Sequence, residues 1–150
     1  MAEASVARAQ NELNRRFIDA IRAGGGTLPD GASGAPILLL TTTGRRSGQP
    51  RTVPLLYTRD GERYVVLASY LGSPTHPDWY HNLLAQPTAT VELPGERFAV
   101  RCSVAQGAER DRLFERQAAQ MPMFTEYQQK TSRRIPVVLL ERAPEPGGLT

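Results

Sequence analysis

The stretch RTVPLLYTRDGERYVVLAS, residues Arg51–Ser69, carries the clearest fold signal in the chain. Its two halves are rich in β-branched and aromatic residues, and the Asp60-Gly61 pair between them suits the positive φ angles of a tight hairpin turn. Val65–Ala68 place apolar side chains on both faces, as strands covered on two sides do. We therefore predict a hairpin of two strands, Arg51–Arg59 and Glu62–Ser69.

A second hairpin is predicted downstream, where Thr88–Leu93 and Arg97–Ala105 flank the turn signal Pro94-Gly95-Glu96. Single apolar strands are predicted at Pro36–Thr43 and Ile135–Glu141. Helical spacing of apolar residues predicts helices at Ser5–Ala23, Asp78–Ala85, Ala108–Gln120 and Met123–Thr131. Since few helices connect successive strands, a parallel Rossmann-type sheet is excluded. The pattern favours a small mixed barrel of about six strands, closed by the last one.

Length and composition indicate an ordinary globular domain. The chain has 150 residues, of which 40% are hydrophobic and 22% charged. We divide it into an amphipathic N-terminal helix with a connector (1–35), a barrel (36–142) and a disordered tail (143–150). Without an apolar run of membrane-spanning length or a signal-peptide core, we expect a cytoplasmic protein. The single Cys102 excludes an intrachain disulfide and agrees with a reducing compartment.

Three arginines lie within seven residues in TTTGRRSGQPR, Thr41–Arg51. The glycines beside them allow backbone amides to approach an anion, and the guanidinium groups of Arg45, Arg46 and Arg51 match phosphate and carboxylate oxygens. The residue order is not that of a Walker loop. On composition alone, the loop is either an anion-binding site or an ordinary solvated basic loop.

Three motifs follow one another in the chain: TTTGRRSGQPRTVPLLY (41–57), HPDWYHNLLAQP (76–87) and RRIPVVLLE (133–141). With them, Pro36–Glu141 resembles the deazaflavin-dependent nitroreductase family of mycobacteria and related actinobacteria. The resemblance implies an α+β fold, a split β-barrel of about six mostly antiparallel strands with flanking helices. It also implies an oxidoreductase that transfers a hydride from reduced coenzyme F420 to an apolar conjugated acceptor, such as a quinone, an enone or a nitro compound. That coenzyme is a 5-deazaflavin with a phosphodiester and an oligoglutamate tail.

The resemblance also assigns coenzyme contacts. The phosphate and tail carboxylates would be held by Arg45, Arg46, Ser47, Gly48 and Arg51. The deazaflavin ring would contact Pro54, Ser69, the backbone of Tyr70, His76, Pro77, Trp79 and Asn82. Two of these positions have alternatives in the residues themselves: a proline is tolerated at any edge strand, and the sole tryptophan of a small domain is usually core.

Met121, Phe124 and Tyr127 recur at helical spacing, so they either pack on the barrel or form a lid over the substrate. The resemblance favours the lid and adds Leu56 to the substrate contacts. Ser69 and Tyr127 are the catalytic candidates: Ser69 to hydrogen-bond the coenzyme or polarise the substrate, and Tyr127 to shape the pocket or donate a proton, with solvent as the other proton source. Family nitroreductases have tyrosines in this region, and Met121 and Phe124 lack the hydroxyl, which argues against nitro-drug activation.

Other interpretations of the function and of the N-terminal helix remain open. An FMN-binding split-barrel flavin reductase or oxidase follows the same electrostatic logic, although a single phosphate needs fewer arginines than a tail of carboxylates. A non-catalytic F420-binding protein would keep the loop without turnover. The basic N-terminal helix, with Arg8, Arg15, Arg16 and Arg22, would either pack on the barrel or rest weakly on an anionic membrane surface.

The partners expected are a small apolar substrate and, since related split barrels often pair, a possible homodimer. Nucleic acid is not expected, because the arginines are not interleaved with an aromatic platform. No metal is expected either, since His76 and His81 have the wrong spacing for one helical face and no third ligand stands out.

Overall fold

The computed structural model describes residues 2–23 and 36–143, with side chains from residue 12 onward. In these ranges it contains four α-helices: α1 (Ala2–Arg22), α2 (Asp78–Ala85), α3 (Gly107–Gln120) and α4 (Met123–Lys130). Its seven strands are β1 (Ile37–Thr43), β2 (Pro50–Leu56), β3 (Thr58–Asp60), β4 (Arg63–Leu67), β5 (Thr88–Leu93), β6 (Glu96–Val104) and β7 (Val137–Arg142). The predicted connector from residue 24 to 35 and the predicted tail from residue 144 lie outside the described residues.

The strands form one sheet in the order β2-β1-β5-β6-β7-β4-β3, and every neighbouring pair is antiparallel. The predicted α+β class and antiparallel sheet are confirmed, with seven strands where about six were expected. β2 and β3 lie at opposite ends of the sheet, yet only Tyr57 separates them in the chain. Because a single residue joins the two ends, the sheet curls until its edges meet, which is the predicted split barrel.

The single predicted strand Arg51–Arg59 is wrong, because the segment breaks at Tyr57 and serves both edges of the sheet. Its first part pairs with β1, with Pro54 opposite Leu39, and only its last two residues, Thr58 and Arg59, pair with β4. Asp60 pairs with Arg63, so the hairpin loop is shifted by one residue from the predicted pair. The positive φ of 63° falls on Gly61, as expected.

The second predicted hairpin is confirmed. β5 pairs with β6 from Thr88 opposite Arg101 to Leu93 opposite Glu96, which leaves Pro94-Gly95 as a two-residue loop. Proline fixes the first φ angle of this loop, and Gly95 takes a φ of 75° that a side chain would disfavour. Local turn chemistry therefore sets this register.

The predicted two-sided burial of the fourth strand is also confirmed. Tyr64 and Val66 point into the barrel, where they pack with Trp79 and Leu83 of α2. Val65 and Leu67 point outward, into a second core that α3 and α4 cover. Alternate residues of one strand thus connect the barrel interior to the outer helical layer.

α1 packs on the outside of the barrel. Phe17, Ile18 and Ile21 pack against Leu39 on the outer face of β1. At the end of the helix, two nitrogens of Arg22 each donate to one oxygen of Glu92 at 3.0 Å. The described apolar side chains of α1 are therefore used against the sheet. Among the described helices, none is both long enough and apolar enough to cross a membrane.

Candidate functional site

An open groove of about 720 Å³ lies where the loop between β1 and β2 meets α1 and α2. Its lining residues are Asn14, Arg15 and Ile18 from α1, Gly44, Arg45, Arg46, Ser47, Pro50, Arg51, Thr52 and Val53 from the loop and β2, and Asp78, Trp79 and Asn82 from α2. Six residues predicted to contact the coenzyme are among them. Gly48 belongs to the same loop and lies just outside the lining.

The loop is tight because its backbone closes on itself. The amide of Gly44 donates to the Gln49 oxygen at 2.8 Å, and the amide of Gly48 donates to the Gly44 oxygen at 2.8 Å. A Cβ at Gly44 would lie 2.6 Å from the Ser47 hydroxyl oxygen, which accepts from the Gln49 amide at 3.1 Å. A side chain at residue 44 would therefore displace the Ser47 hydroxyl and crowd the Gln49 backbone oxygen, 3.2 Å from that Cβ. The compact turn leaves the Arg46 side chain exposed.

Asn82 ties the loop to α2. Its Oδ1 accepts from the Arg45 amide at 3.1 Å, and its Nδ2 donates to the Thr42 hydroxyl at 3.0 Å. The Arg45 guanidinium reaches the same Oδ1 at 3.4 Å and the Asp78 carboxylate at 3.5 Å. Because both ends of the buried Asn82 amide have protein partners, this residue acts here as a tether that orients the first arginine.

Arg15, Arg46 and Arg51 are exposed at the groove, and none has a hydrogen-bond or ion-pair partner within the described ranges. With Arg45, four guanidinium groups face one carboxylate, that of Asp78. Guanidinium groups bind phosphate and carboxylate through paired charge-assisted hydrogen bonds. The donor set therefore fits a ligand with several anionic groups, which is what coenzyme F420 carries.

Trp79 belongs both to the barrel core and to the groove lining. It is 6% exposed and belongs to the barrel core, yet one part of it lines the groove beside Asn82. A rigid indole that is anchored from behind gives the groove a fixed wall, since the core prevents it from rotating away.

The outer face of β2 leads away from the arginines. Thr52, Pro54 and Leu56 alternate along the strand and so share one face. Thr52 lines the groove, and its hydroxyl oxygen lies at hydrogen-bond distance, 2.7 Å, from that of Thr41. Leu56 packs at the margin of the second core. β2 is an edge strand, where a proline costs no inner ladder bond, as expected for Pro54.

Ser69 and Tyr70 lie in the turn after β4, beside an arginine to which the sequence reasoning gave no role. Arg133 donates to the backbone carbonyl oxygen of Ser69 at 2.6 Å, and its Nη1 lies 3.0 Å from the Nδ1 of His76. Desolvation lowers the pKa of His76, and the positive charges of Arg133 and His81 lower it further. Pro77, which is buried, precedes α2 and accepts from the Tyr80 amide at 3.1 Å.

The predicted lid residues divide into two kinds. Met121 and Phe124 are buried in the second core, whereas Tyr127 is half-buried at its margin, as Leu56 is. α4 is held against the turn after β4, since a Cβ at Gly72 would lie 2.8 Å from the Tyr127 backbone oxygen. The structure thus places the Tyr127 backbone against Gly72 in the turn after β4, with Met121 and Phe124 buried in the second core.

Two contributions went unnoticed in the sequence. α1 lines the groove with Asn14, Arg15 and Ile18, although its arginines suggested only barrel packing or a membrane surface. Arg133 stands in the quoted motif RRIPVVLLE, but nothing local shows that its partners lie about sixty residues earlier in the chain. Only the packed fold reveals both.

Cys102 lies apart from this groove, half-buried against the barrel core. Burial raises the pKa of its thiol to about 12. The thiol therefore stays protonated at neutral pH, which agrees with packing rather than nucleophilic chemistry.

Most of the chain is similar to known proteins. The family model described as F420H(2)-dependent quinone reductase matches residues 13–142. An F420H(2)-dependent quinone reductase of Mycobacterium tuberculosis is 42% identical over 132 residues, which cover 85% of this chain and 89% of that protein.

Two solved structures are also similar. One, an F420-H2 dependent reductase, is 38% identical with a TM-score of 0.65 and covers 71% of this chain and 94% of its own. The other, described as a domain-swapped dimer, is 34% identical with a TM-score of 0.67 and covers 93% of this chain and 99% of its own. The expected deazaflavin dependence and oxidoreductase class are confirmed at family level, whereas the FMN alternative finds no support. The chain belongs to the F420H(2)-dependent quinone reductase family.

Proposed function

We propose that this chain binds reduced coenzyme F420 along the groove and the outer face of β2, and uses it to reduce a quinone beside Leu56 and Tyr127. The coenzyme, when bound, supplies a hydride. The observation that carries the proposal is that four arginines line one open groove and three of them, Arg15, Arg46 and Arg51, have no partner within the described part of the chain. Arg45, Arg46 and Arg51 would hold the phosphate and tail carboxylates, with Ser47 and Gly48 in the same turn.

The direction of binding follows from the face of β2. From Thr52 to Leu56 the strand rises about 13 Å at roughly 3.3 Å per residue. Pro54 lies midway along this face and has no backbone N–H, so it offers the ligand no hydrogen-bond donor at that point. An elongated coenzyme whose charged end is at the arginines would therefore extend its ring toward Pro54 and place the acceptor near Leu56.

The turn after β4 is suited to the polar edge of the ring. Ser69 has φ −75° and ψ −38°, and Tyr70 follows with a φ of 46°, in the left-handed region. A right-handed residue followed by a left-handed one turns successive amides toward one concave side, which favours an electron-rich ligand. We assign the Ser69 hydroxyl and the Tyr70 amide to this contact. The exposed Tyr70 side chain is not needed for it.

The helical layer would form the acceptor end of the site through Tyr127 of α4. Met121, which ends α3, and Phe124, on the buried face of α4, anchor α4 in the second core, so they would contribute to the substrate site through Tyr127 rather than by a surface of their own. Phe124 holds the Tyr127 ring edge-on at 5.9 Å. The Tyr127 hydroxyl would orient the quinone or hydrogen-bond its reduced oxygen, with solvent as the final proton source.

A titration with oxidised and reduced F420, compared with FMN, tests the binding step through deazaflavin fluorescence. We expect saturable F420 binding, weak FMN binding, and recovery of oxidised deazaflavin absorbance when a quinone is added. F420 binding without turnover on any quinone or enone would favour the alternative of a non-catalytic F420-binding protein. Absence of F420 binding would overturn the proposal.

We also propose a homodimer, supported by the similar structure that is described as a domain-swapped dimer. An apolar cleft of about 170 Å³, between Leu84 and Pro87 on one side and Cys102 and Val104 on the other, lies on the surface. Leu84 is 58% exposed beside it. Light scattering coupled to size exclusion will give twice the chain mass if the proposal holds, and Leu84→Glu should lower the dimer fraction.

A further inference from the structure

Arg133 gathers four acceptors around one guanidinium group. Its Nε donates to the backbone carbonyl oxygen of Ser73 at 2.8 Å, and its Nη2 donates to the backbone carbonyl oxygen of Ser69 at 2.6 Å. Its Nη1 lies 3.1 Å from the Ala68 oxygen and 3.0 Å from His76 Nδ1. All four acceptors belong to the stretch from residue 68 to 76, so one side chain spans the whole turn after β4.

None of these acceptors is a carboxylate, so Arg133 is a partly buried cation without a counter-ion among the described residues. Burying a charge is costly unless hydrogen bonds replace its water. Here three backbone carbonyls and one imidazole do so. The donors of a guanidinium are spread over three nitrogens in a rigid plane and can reach acceptors that lie apart, whereas the three donors of lysine lie on one atom.

The turn that Arg133 spans is strained. Tyr70 and Leu71 take consecutive positive φ angles of 46° and 56°, and both side chains are about half exposed. Non-glycine residues in this region persist only where the surroundings hold them. Arg133 holds the turn from one side, and the close contact of Gly72 with α4 holds it from the other.

We propose that Arg133 is a positioning residue, which keeps the amides and the hydroxyl of Ser69–Tyr70 in the geometry that receives the deazaflavin ring. The proposal rests on the proposed function, in which this turn contacts the ring. Arg133 touches neither coenzyme nor substrate and acts through the turn. A purely structural arginine would instead change stability without a preference for the ring over the tail.

Two ligands separate these roles: intact F420 and the 5-deazariboflavin chromophore without phosphate or glutamates. Arg133→Lys should raise the Kd of both by the same factor, about tenfold or more, because each loses the same ring contacts. An Arg46→Ala, Arg51→Ala double variant should raise the Kd of F420 alone. Arg134→Lys is the matched control, since this exposed neighbour pairs with Asp111 away from the turn and should leave both Kd values unchanged.

Equal Kd values for wild type and folded Arg133→Lys would overturn the inference, as would a loss confined to F420. If the variant does not fold, hydrogen exchange on the wild-type protein decides the question. The chromophore should slow exchange of the amides from Ser69 to Ser73 and of the Arg133 Nε–H, and unchanged exchange there would overturn the inference. Failure of wild type to bind F420 would instead refute the proposed function itself.

Discussion

Arg46 and Arg51 stand exposed at the groove without a partner in the described ranges, whereas Arg133 satisfies three of its nitrogens within the protein. Both regions use the same functional group next to a turn that contains unusual φ angles. In the first, the donors remain available for an anion. In the second, the donors are already bonded to three backbone carbonyl oxygens and the His76 imidazole. Whether an arginine binds a ligand or holds a loop is therefore decided by its acceptors and not by its neighbours in sequence.

The largest effect should come from changing Arg45, Arg46 and Arg51 to alanine together. Loss of these charged hydrogen bonds should weaken F420 binding by about 4 kcal/mol, nearly a thousandfold in Kd, while the melting temperature changes little. Fluorescence titration measures the first and thermal denaturation the second. Arg16→Ala with Arg97→Ala and Arg101→Ala, all exposed and outside the groove lining, removes the same three positive charges and controls for the change in net charge. Unchanged affinity in the triple variant would place the tail elsewhere.

Arg133→Ala should instead change the stability of the fold. Removing the guanidinium leaves several partly buried acceptors unpaired and should lower the free energy of unfolding by about 2–4 kcal/mol. Arg46→Ala, which loses no internal bond, should stay within about 0.5 kcal/mol of wild type. Urea denaturation measures both, and equal stability of the two variants would remove the distinction drawn between the regions.

A smaller effect is expected at α1, which belongs to the groove although it is remote in sequence. Arg15→Ala should weaken F420 binding by about 1 kcal/mol, because one of the four guanidinium groups at the groove is lost. Arg16→Ala, one residue along the same helix and outside the groove lining, is the matched control. Equal affinities of the two variants would show that α1 covers the groove without contacting the tail.

The smallest effect concerns pH. Since the pKa of His76 is lowered in the folded protein by desolvation and by Arg133, the unfolded chain binds more protons than the native one as the pH falls below about 6.5. The stabilising contribution of neutral His76 is thus complete above that pH and is lost as the pH falls through the folded pKa. His76→Asn should flatten this part of the stability profile, measured by denaturation from pH 7.5 to about 5. An identical slope in the variant would show that His76 is not responsible.

Local signals in the sequence were sufficient for much of the fold. Pro94-Gly95 predicted the second hairpin, and the apolar run ending at Thr43 predicted β1. They were insufficient at Tyr57, because alternation of side chains continues through the break and only barrel closure decides which neighbour each part pairs with. Pairing partners depend on the whole chain, so periodicity could not reveal them.

The candidate site shows the same division. The arginines and glycines of the loop predict anion binding through their chemistry, and the structure places Arg45, Arg46 and Arg51 at one groove. Asn82 was assigned to the coenzyme, yet the structure uses both ends of its amide to fix Arg45 and Thr42. Burial of Met121 and Phe124 likewise depends on α3 packing, which a helical repeat alone does not specify.

The break at Tyr57 couples the two ends of the site mechanically. Because a one-residue shift in a strand exchanges its two faces, an insertion or deletion near Tyr57 would either move Pro54 and Leu56 into the barrel interior or reverse the faces of β3. Insertions and deletions should therefore be rejected at this junction, whereas substitutions that keep its length are compatible with both pairings. The acceptor side of the proposed site can then be altered by substitutions on β2, provided that the length of the β2–β3 segment is kept.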